Sequence, residues 1–514
     1  MLSALSSPAF LVAAPLVAFM ALAPIRPVRA ASQPRVRPAA VAGAFYPANA
    51  AELSAMIDKL LAQVYEPATA DPILAAVAPH AGYPYSGPVA AYTYAALKGR
   101  GYKRVVLIAP SHYEAFSYTS VYEGDAYRTP LGDVPVDKTF AAALVKMNHS
   151  IQFSAHGHEP TAAGGEHALE VQLPWLQKVL GNFELVPIIM GDQSYEASRA
   201  LGVALEKLIK KEKNPGETLV LASSDLSHYH TYDQANTIDH KTLGALAAWD
   251  YFSMSRNFQW RGANQPGVWE ACGGAPIVAA MIYAERMGAN EARVLRYANS
   301  GDVTGDKSRV VGYSADIFVK SHAAAATEPS FSLTDQEKSE LLSLARLSVE
   351  HAVGQGKAYV PAASDSPLLN QERGAFVTLT IHGNLRGCIG YTAAFKPLYL
   401  TVRDVATYAA LNDPRFHVVT KEELPQLEYE VSVLSPLRRV TDVEQIKVGT
   451  HGLIMKNGDK EGLLLPQVPV EQHWDRATFL EETCRKAGME PDCWRDENTD
   501  IFSFTAVVFH EHKS

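Results

Sequence analysis

Four side chains of the kind that bind metals or move protons follow the ends of three strand-like segments. His80 and His112 come after the first two segments, and Asp225 and His228 follow the third. The segments are residues 73–79, 104–110 and 218–222. Continuous runs of β-branched residues and leucine are typical of buried parallel strands, and ligands of open α/β sheets bind beyond the carboxyl ends of such strands. The pattern predicts one polar site, and its histidines favour a metal site.

Two neutral imidazoles with one anionic ligand make an open site for a divalent metal ion. His80 and His112 supply the imidazoles, and the spacing leaves three candidates for the anionic ligand. They are Asp225, Glu166 and Cys272. Cys272 lies just before a predicted helix that begins at Gly274, and a helix N-terminus stabilises a thiolate. The alternative is that Cys272 is a small buried apolar residue, as most free cysteines are.

The remaining polar residues of this region have predicted roles beside the metal. His228 is a candidate general base or a partner of a ligand, with Asp225 fixing its tautomer. Glu166 and His167 begin a predicted helix over residues 166–180 and are candidates for the layer behind the ligands, although an acidic residue in a first turn is also a common partner of the helix dipole. His230 is expected to be exposed.

Bulk composition limits the class of protein. A chain of 514 residues is expected to form two or three domains. Its 47% hydrophobic and 20% charged residues are those of a globular protein and exclude wholesale disorder. A net charge of −9 without a basic stripe gives no reason to expect nucleic acid as a partner. The 4 cysteines, which lack a C-x-x-C spacing, are too few for a disulfide framework.

The first 25 residues carry no charged side chain and are rich in small and apolar residues. Arg26 and Arg29 follow, and the small residues before Ala31 resemble a cleavage site. Residues 1–30 are therefore predicted to be a signal peptide of an exported or periplasmic protein. The alternative is an uncleaved membrane anchor or a mis-assigned start of a cytoplasmic protein. No other long apolar segment follows, so membrane contact is expected only through this anchor.

A small, polar stretch over residues 321–332 is predicted to be a linker. Before it, over residues 38–320, strand-like and helix-like segments alternate, which is typical of a layered α/β domain. After it, over residues 333–512, they do not alternate, which predicts a smaller α+β domain with mainly antiparallel strands. Its first helix is expected to begin at Thr334, because Glu337 completes a capping box.

Seven short motifs in the first half occur in a fixed order. They are residues 42–47, 79–87, 110–112, 166–174, 224–228, 272–273 and 300–302. Together they resemble the Memo family, whose members share their fold with class III extradiol dioxygenases, the non-haem iron enzymes that open catechol rings. The resemblance implies metal ligation by His80, His112 and Cys272, with Asp225 and His228 as catalytic residues beside them.

The resemblance also limits the expected chemistry. The dioxygenases hold iron with two histidines and a carboxylate, whereas this chain has Cys272 at the matching place. That difference argues against ring cleavage and leaves redox chemistry on iron or copper, with zinc as a further candidate metal. The expected function is a metal-dependent oxidoreductase that acts on an unknown small molecule. The alternative is a non-catalytic metal-binding scaffold that recruits a partner.

In the second half, two glycines flank a cysteine over residues 385–390. The glycines allow close backbone approach, and Arg386 carries the charge to bind an anion. The preferred alternative is a strand with a glycine kink in which Cys388 belongs to the core. If the segment does bind a ligand, Arg386 and Cys388 are expected to form a binding patch and not a second catalytic centre.

The same segment belongs to a set of motifs spread over the second half. The others are residues 412–416, 430–436, 451–453 and 462–467. Together they resemble the AMMECR domain, which has no settled activity. Genes for this domain accompany Memo and radical-SAM genes in the AmmeMemoRadiSam system. The resemblance therefore implies a fusion of two members and a separate radical-SAM protein as partner, since this chain lacks the C-x-x-x-C-x-x-C cluster motif.

Overall fold

Buried parallel strands form the centre of the first half, as the continuous apolar runs predict. The computed structural model describes residues 34–64, 69–160, 165–257, 270–321, 332–392 and 396–511. The strands of this half are β1 (Val36–Arg37), β2 (Ile73–Ala78), β3 (Arg104–Pro110), β4 (Thr119–Val121), β5 (Ala126–Thr129), β6 (Gly132–Pro135), β7 (Ile151–Phe153), β8 (Glu184–Met190), β9 (Thr218–Ser223), β10 (His228–His230), β11 (Glu291–Asn299) and β12 (Val310–Val319). The helices are α1 (Ala50–Leu61), α2 (Tyr83–Leu97), α3 (Lys138–Leu144), α4 (Leu173–Leu180), α5 (Tyr195–Ile209), α6 (Tyr232–Ala247), α7 (Tyr251–Asn257), α8 (Gly274–Arg286) and α9 (Ser300–Thr304).

The large sheet brings the ends of three strands together at one edge. It runs in the order β10-β12-β2-β9-β3-β8-β4-β7, with β11 paired to β12. Strands β2, β9, β3 and β8 are parallel to their neighbours, whereas β12 and β4 flank them in antiparallel pairing. Because parallel strands end at the same edge, the segments after β2, β3 and β9 lie side by side there. They carry His80, His112 and Asp225.

Helices cover both faces of this sheet. Val105 and Leu107 of β3 pack in one apolar cluster with α1, α2 and α4. Val106 and Ile108 of the same strand point to the other face and pack with α3, α5, α7 and α8. The period of two follows from the strand, in which successive side chains point to opposite faces. The predicted layered α/β architecture is confirmed.

The second half is built on an antiparallel sheet. Its strands are β13 (Ala375–Ile381), β14 (Asn384–Tyr391), β15 (Leu427–Leu434), β16 (Arg438–Arg439), β17 (His451–Asn457), β18 (Lys460–Leu464) and β19 (Asp500–His510). Its helices are α10 (Asp335–Gln355), α11 (Leu398–Leu411), α12 (Gln467–Glu471) and α13 (Arg476–Lys486). The strands run in the order β14-β13-β15-β19-β17-β18, with β16 on β19. Helices α10 and α11 share an apolar cluster with β13 and β15, which confirms the α+β prediction.

The sequence predicted the start of one helix correctly and the start of another incorrectly. The Thr334 side chain accepts a hydrogen bond from the Glu337 amide, and the Glu337 carboxylate accepts one from the Thr334 amide, so the predicted capping box forms. The helix predicted over residues 166–180 was wrong in its first half. A single 3-10 turn, Glu170–Gln172, precedes α4, and Pro174 lies in the first turn of α4, where a missing amide proton costs nothing.

Three further points concern the predicted segments and cysteines. Cys484 at the end of α13 forms a disulfide with Cys493, a single pair that the cysteine spacing did not indicate. The predicted leader, residues 1–30, lies outside the described residues, as do residues 322–331 of the predicted linker. Among the helices that the structure describes, none has both the length and the apolar character needed to cross a bilayer.

Candidate metal centre

Three histidines converge at the carboxyl edge of the large sheet. Each of His80, His112 and His167 offers one ring nitrogen, and these three nitrogens lie within 4.8 Å of one another. The rings of His112 and His167 are stacked with centroids 4.7 Å apart, and the ring of His80 meets both edge-on. The His80 side chain is 1% exposed and that of His112 is 27% exposed. The cluster is therefore closed at its base and open to solvent on the side of His112.

The tautomer of His80 is fixed by Ser223 at the end of β9. The Ser223 hydroxyl donates its only proton to the Ala168 carbonyl at 2.5 Å and accepts a hydrogen bond from Gln172 Nε2 at 2.7 Å. His80 Nδ1, 3.0 Å from the same hydroxyl oxygen, must therefore be the donor of their hydrogen bond. That assignment leaves the lone pair of His80 Nε2 free to bind a metal ion.

His112 is held by a carboxylate. Its Nδ1 donates to Glu166 Oε1 at 2.9 Å, and its backbone amide donates to Glu166 Oε2 at 2.6 Å. Burial opposes a charge on His112, but hydrogen bonds to Cys272 and Glu166 outweigh it and raise the pKa of His112 to about 11. Burial also opposes the charge of Glu166, and His112 outweighs it, so that the pKa of Glu166 is lowered to about 2. This is the carboxylate–histidine arrangement that orients metal ligands in other proteins.

His167 is the third imidazole of the cluster, although the sequence suggested it only for the layer behind the ligands. Burial and the neighbouring His112 lower the pKa of His167 to about 4, so its ring is neutral. Its Nδ1 is buried and has no hydrogen-bond partner among the described residues, at 3.6 Å from Glu166 Oε1. A buried ring nitrogen without a partner is unfavourable unless a ligand binds it. The donor set therefore fits a divalent metal ion.

Cys272 lies against the same cluster, before α8. Its Sγ is 3.0 Å from His80 Nε2 and accepts a hydrogen bond from the Asp225 amide at 3.3 Å. A Cβ atom on Gly273 would lie 2.3 Å from the Ser223 carbonyl oxygen, so only glycine lets this turn approach β9 so closely. The helix N-terminus was expected to favour the thiolate, but burial is the larger effect and raises the pKa of the Cys272 thiol.

Asp225 and His228 have different partners from those that the sequence suggested. Asp225 Oδ1 accepts hydrogen bonds from the amides of His80 at 2.7 Å and Ala81 at 3.3 Å, so it orders the turn after β2. Burial raises the pKa of Asp225 to about 7. His228 Nδ1 donates to the Leu226 carbonyl at 2.8 Å. The expectation that Asp225 fixes the tautomer of His228 was wrong, because the Leu226 carbonyl, and not Asp225, accepts the hydrogen bond from His228 Nδ1.

His230 is also placed differently from the expectation that it is exposed. Only 10% of its side chain is accessible, and His230 Nε2 lies 2.8 Å from Glu270 Oε2. Strand β10 thus directs the His230 side chain toward Glu270, which lies two residues before Cys272.

Sequence reasoning missed a buried ion pair behind the histidines. Arg37 pairs with Glu170, and their side chains are 1% and 0% exposed. The same guanidinium donates to the Glu166 carbonyl oxygen at 2.6 Å, while Glu170 also accepts from the Tyr46 hydroxyl and the Val41 amide. Because a charge without its partner is costly in the interior, this pair fixes the Glu166–His167 turn. Two of the quoted motifs, residues 42–47 and 166–174, meet here, but no spacing rule indicated their pairing.

The glycine-flanked segment of the second half is part of strand β14. Both oxygens of Glu423 accept hydrogen bonds from Arg386, and so do the carbonyls of His417 and Val418. The guanidinium is thus used within the fold, and the suggestion that Arg386 binds an anionic ligand stays a prediction. Cys388 is partly buried, and Thr378 Oγ1 donates to its Sγ. The preferred alternative, a strand with a core cysteine, agrees with this geometry.

The first glycine of this segment, Gly387, shows why the segment stays close to a helix. A Cβ atom on Gly387 would lie 2.1 Å from the Ala409 carbonyl oxygen of α11. The glycine therefore permits packing of sheet against helix and does not open space for a ligand. A cleft of about 680 Å³ does occur in this half, between α10 and residues 359–367, but its charged lining is acidic and it lies apart from Arg386 and Cys388.

Fold and site together define a class: a layered α/β protein with a histidine cluster that could hold a metal ion at the carboxyl edge of its sheet. The Memo-like protein family model matches residues 37–317, and the AMMECR1 family model matches residues 342–509. The chain belongs to the Memo-like family and carries an AMMECR1 domain in its second half.

Individual relatives match one half each. The MEMO1 family protein MK0963 of Methanopyrus kandleri is 38% identical over 291 residues, which span 55% of this chain and 98% of that protein. Protein PH0010 of Pyrococcus horikoshii is 43% identical over 191 residues, which span 35% of this chain and 93% of that protein. The crystal structure of PH0010 aligns with a TM-score of 0.35 over 35% of this chain and 95% of that one.

Glu166→Gln should weaken metal binding. The amide keeps the size of the side chain but loses the charge that orients His112, so we expect about 10- to 100-fold lower affinity for a divalent ion. Competition with a chromophoric chelator measures this affinity. Glu159→Gln is the control, because Glu159 is a partly exposed glutamate that pairs with Arg35 outside the cluster. Equal affinity in both variants would show that Glu166 does not act on the metal.

Proposed function

We propose that the first half is a metal-dependent oxidoreductase, in which His80, His112 and Cys272 hold iron or copper and a small molecule reacts beside them. The observation that carries the proposal is the convergence of histidine ring nitrogens and one thiol around a point that opens to solvent beside His112. An open side is what a catalytic metal site needs and a purely structural site does not.

The chemistry of the donors limits the metal. Imidazole nitrogen suits zinc, copper and iron, and thiolate adds a preference for copper or zinc over hard ions such as magnesium. A bound iron or copper ion would supply one-electron redox chemistry. His167 competes with Cys272 for the third position, because both lie beside the pair of His80 and His112.

The chain's own residues would then handle the proton. His228 Nδ1 donates to the Leu226 carbonyl, so its Nε2 carries the lone pair and can accept a proton from a bound molecule. Burial lowers the pKa of His228 and keeps the ring neutral. Asp225 acts at one remove, since its carboxylate holds the backbone that presents His80. We assign His228 the role of general base and Asp225 a positioning role.

The rival function is a non-catalytic metal-binding scaffold. In that function the metal stabilises the turns at the sheet edge, and the second half recruits a partner such as a separate radical-SAM protein. A scaffold needs no free coordination position and no general base, so the two functions differ in what His228 does.

Replacement of the ligands should separate the donors. His80→Ala should abolish stoichiometric Co²⁺ binding, because His80 is common to both ligand sets. Cys272→Ser should remove the sulfur-to-cobalt charge-transfer absorption, and Cys388→Ser, the change at the other free cysteine, should leave it unchanged. A wild-type cobalt spectrum without that absorption would exclude Cys272 and leave His167 as the third ligand.

His228→Ala should keep the metal and lose the chemistry. Metal content by mass spectrometry is expected to equal that of the wild-type chain, whereas oxygen uptake with ascorbate as reductant should fall about 100-fold or more, the typical contribution of a general base. His240→Ala, at an exposed histidine of α6, is the matched control. Metal loss in His228→Ala would identify a ligand, and unchanged oxygen uptake would favour the scaffold.

We also propose that the protein is exported. The disulfide between Cys484 and Cys493 supports this, because disulfides persist mainly in oxidising compartments. Intact mass measurement of the protein from its native source should give a chain that begins near Ala31, with two cysteines protected from alkylation until reduction. A chain that retains Met1, with four alkylated cysteines, would place the protein in a reducing compartment.

A further inference from the structure

The contact between the two halves contains a buried carboxylate. Asp500, the first residue of β19, is almost fully buried and accepts a hydrogen bond from the Tyr195 hydroxyl at 2.7 Å. Arg199 of α5 binds both carboxylate oxygens of Asp500 and also donates to the Glu497 carbonyl oxygen at 3.1 Å. The donors belong to the first half and the acceptors to the second. Bidentate pairing of this kind fixes both distance and orientation.

A second arginine of the interface belongs to the other half. Arg439 Nε donates to Asp500 at 3.3 Å, and its Nη1 lies 3.8 Å from Glu285 of α8. Glu285 is itself held by the Tyr251 hydroxyl at 2.8 Å. Arg199 and Glu285 of the first half thus pair across the contact with Asp500 and Arg439 of the second half, respectively.

Apolar residues pack together beside these charges. The Phe502 ring stacks on Phe252 of α7 with centroids 4.7 Å apart and meets Tyr251 at 6.1 Å. One apolar cluster contains the core of the first half together with six buried residues of the second. These six are Leu434, Leu437, Ile454, Leu465, Phe502 and Phe504. Aromatic side chains bury about 150–250 Å² each, so separation of the halves would expose a large apolar surface on both.

Ion pairs surround this shared core. Lys207 of α5 lies 2.9 Å from Glu497, and Lys456 of β17 lies 3.2 Å from Glu196. A third pair joins Lys241 of α6 to Glu372 at 2.6 Å. The contact therefore has an apolar centre with charged pairs around it, which is the anatomy of a specific protein–protein interface.

We propose that this contact is a specific interface that holds without the linker, so that the AMMECR1 domain is the dedicated partner of the face formed by α5, α7 and α8. The chain then behaves as a heterodimer joined in one polypeptide. The charge complementarity and the shared core select this occupant, and neither feature depends on which metal the first half binds.

The interface has a consequence for the metal centre. Helices α7 and α8 lie on either side, in the chain, of the segment that carries Cys272, and the second half packs against Tyr251 of α7 and Glu285 of α8. The second half therefore restrains both helices that flank Cys272, in addition to covering an apolar face.

Cutting the linker in the folded chain tests the proposal. Residues 322–331 are replaced by a protease recognition sequence, the full chain is purified and cut, and the fragments are run on gel filtration at micromolar and at nanomolar concentration. We expect both fragments to elute together at the volume of the uncut chain at micromolar concentration and to begin to separate only on dilution. Separate elution of two folded fragments at micromolar concentration would overturn the proposal.

Two variants of the cut chain locate the interface. Phe502→Ala removes the ring that stacks on the first half and should weaken association about 100-fold. Phe509→Ala is the matched control, because this phenylalanine lies on the same strand but packs in the second half's own core. Arg199→Ala, at the edge of the interface, should also weaken association if either phenylalanine variant is unstable. Equal association of the cut wild-type, Phe502→Ala and Arg199→Ala chains would show that the fragments are held elsewhere.

Discussion

Parallel pairing of β2, β9 and β3 is the constraint on which the site depends. Each strand ends at the same edge and is followed by a turn that carries a polar side chain, so Asp225 lies 2.7 Å from the His80 amide and the rings of His80 and His112 lie 5.1 Å apart. The strands are too apolar to lie anywhere except inside the sheet, and the turns inherit their positions from that burial. Two hydrogen bonds then fix the direction of the rings: Ser223 accepts from His80, and Glu166 accepts from His112. Without these acceptors the ring nitrogens could exchange tautomers, and a metal ion would have no defined donor set.

The features that could be predicted from the sequence are those set by residues close together along the chain. The strand ends were visible because a buried parallel strand is a continuous apolar run, and the capping box at Thr334 was visible because its two partners lie three residues apart. The Arg37–Glu170 pair was not visible, since 133 residues separate its members and burial alone makes it specific. The role of His167 was underestimated for a related reason. Its neighbour Glu166 turns back to His112, and only the packed structure shows that the next ring stacks on His112.

At His228 and Cys272, the local backbone creates an environment different from the one that the sequence predicted. An aspartate three residues before a histidine suggests a side-chain pair, but the Leu226 carbonyl lies only two residues away and takes the Nδ1 proton. Likewise a cysteine before a helix suggests a stabilised thiolate, yet the Gly273 turn presses Cys272 into β9, and burial raises the pKa of its thiol. In both cases the side chain lies where it was predicted, but its hydrogen-bond partner or its pKa differs from the prediction. Spacing along the sequence does not show how deeply a group is buried.

The first half has an open sheet edge and, on another side, a helical face that the second half covers. The sheet edge of the first half is open where His112 is accessible. The face formed by its helices is apolar at α7 and charged at α5. Such a surface is a liability for an isolated domain, because it combines exposed aromatic rings with unpaired charges. The AMMECR1 domain supplies the hydrogen-bond acceptor for Arg199, the positive charge that pairs with Glu285 and the ring that stacks on Phe252. Fusion in one chain adds a high effective concentration of this partner to an interface that, on our proposal, already holds without the linker. The open edge stays accessible to solvent beside His112, while the second half packs against the helices that flank Cys272.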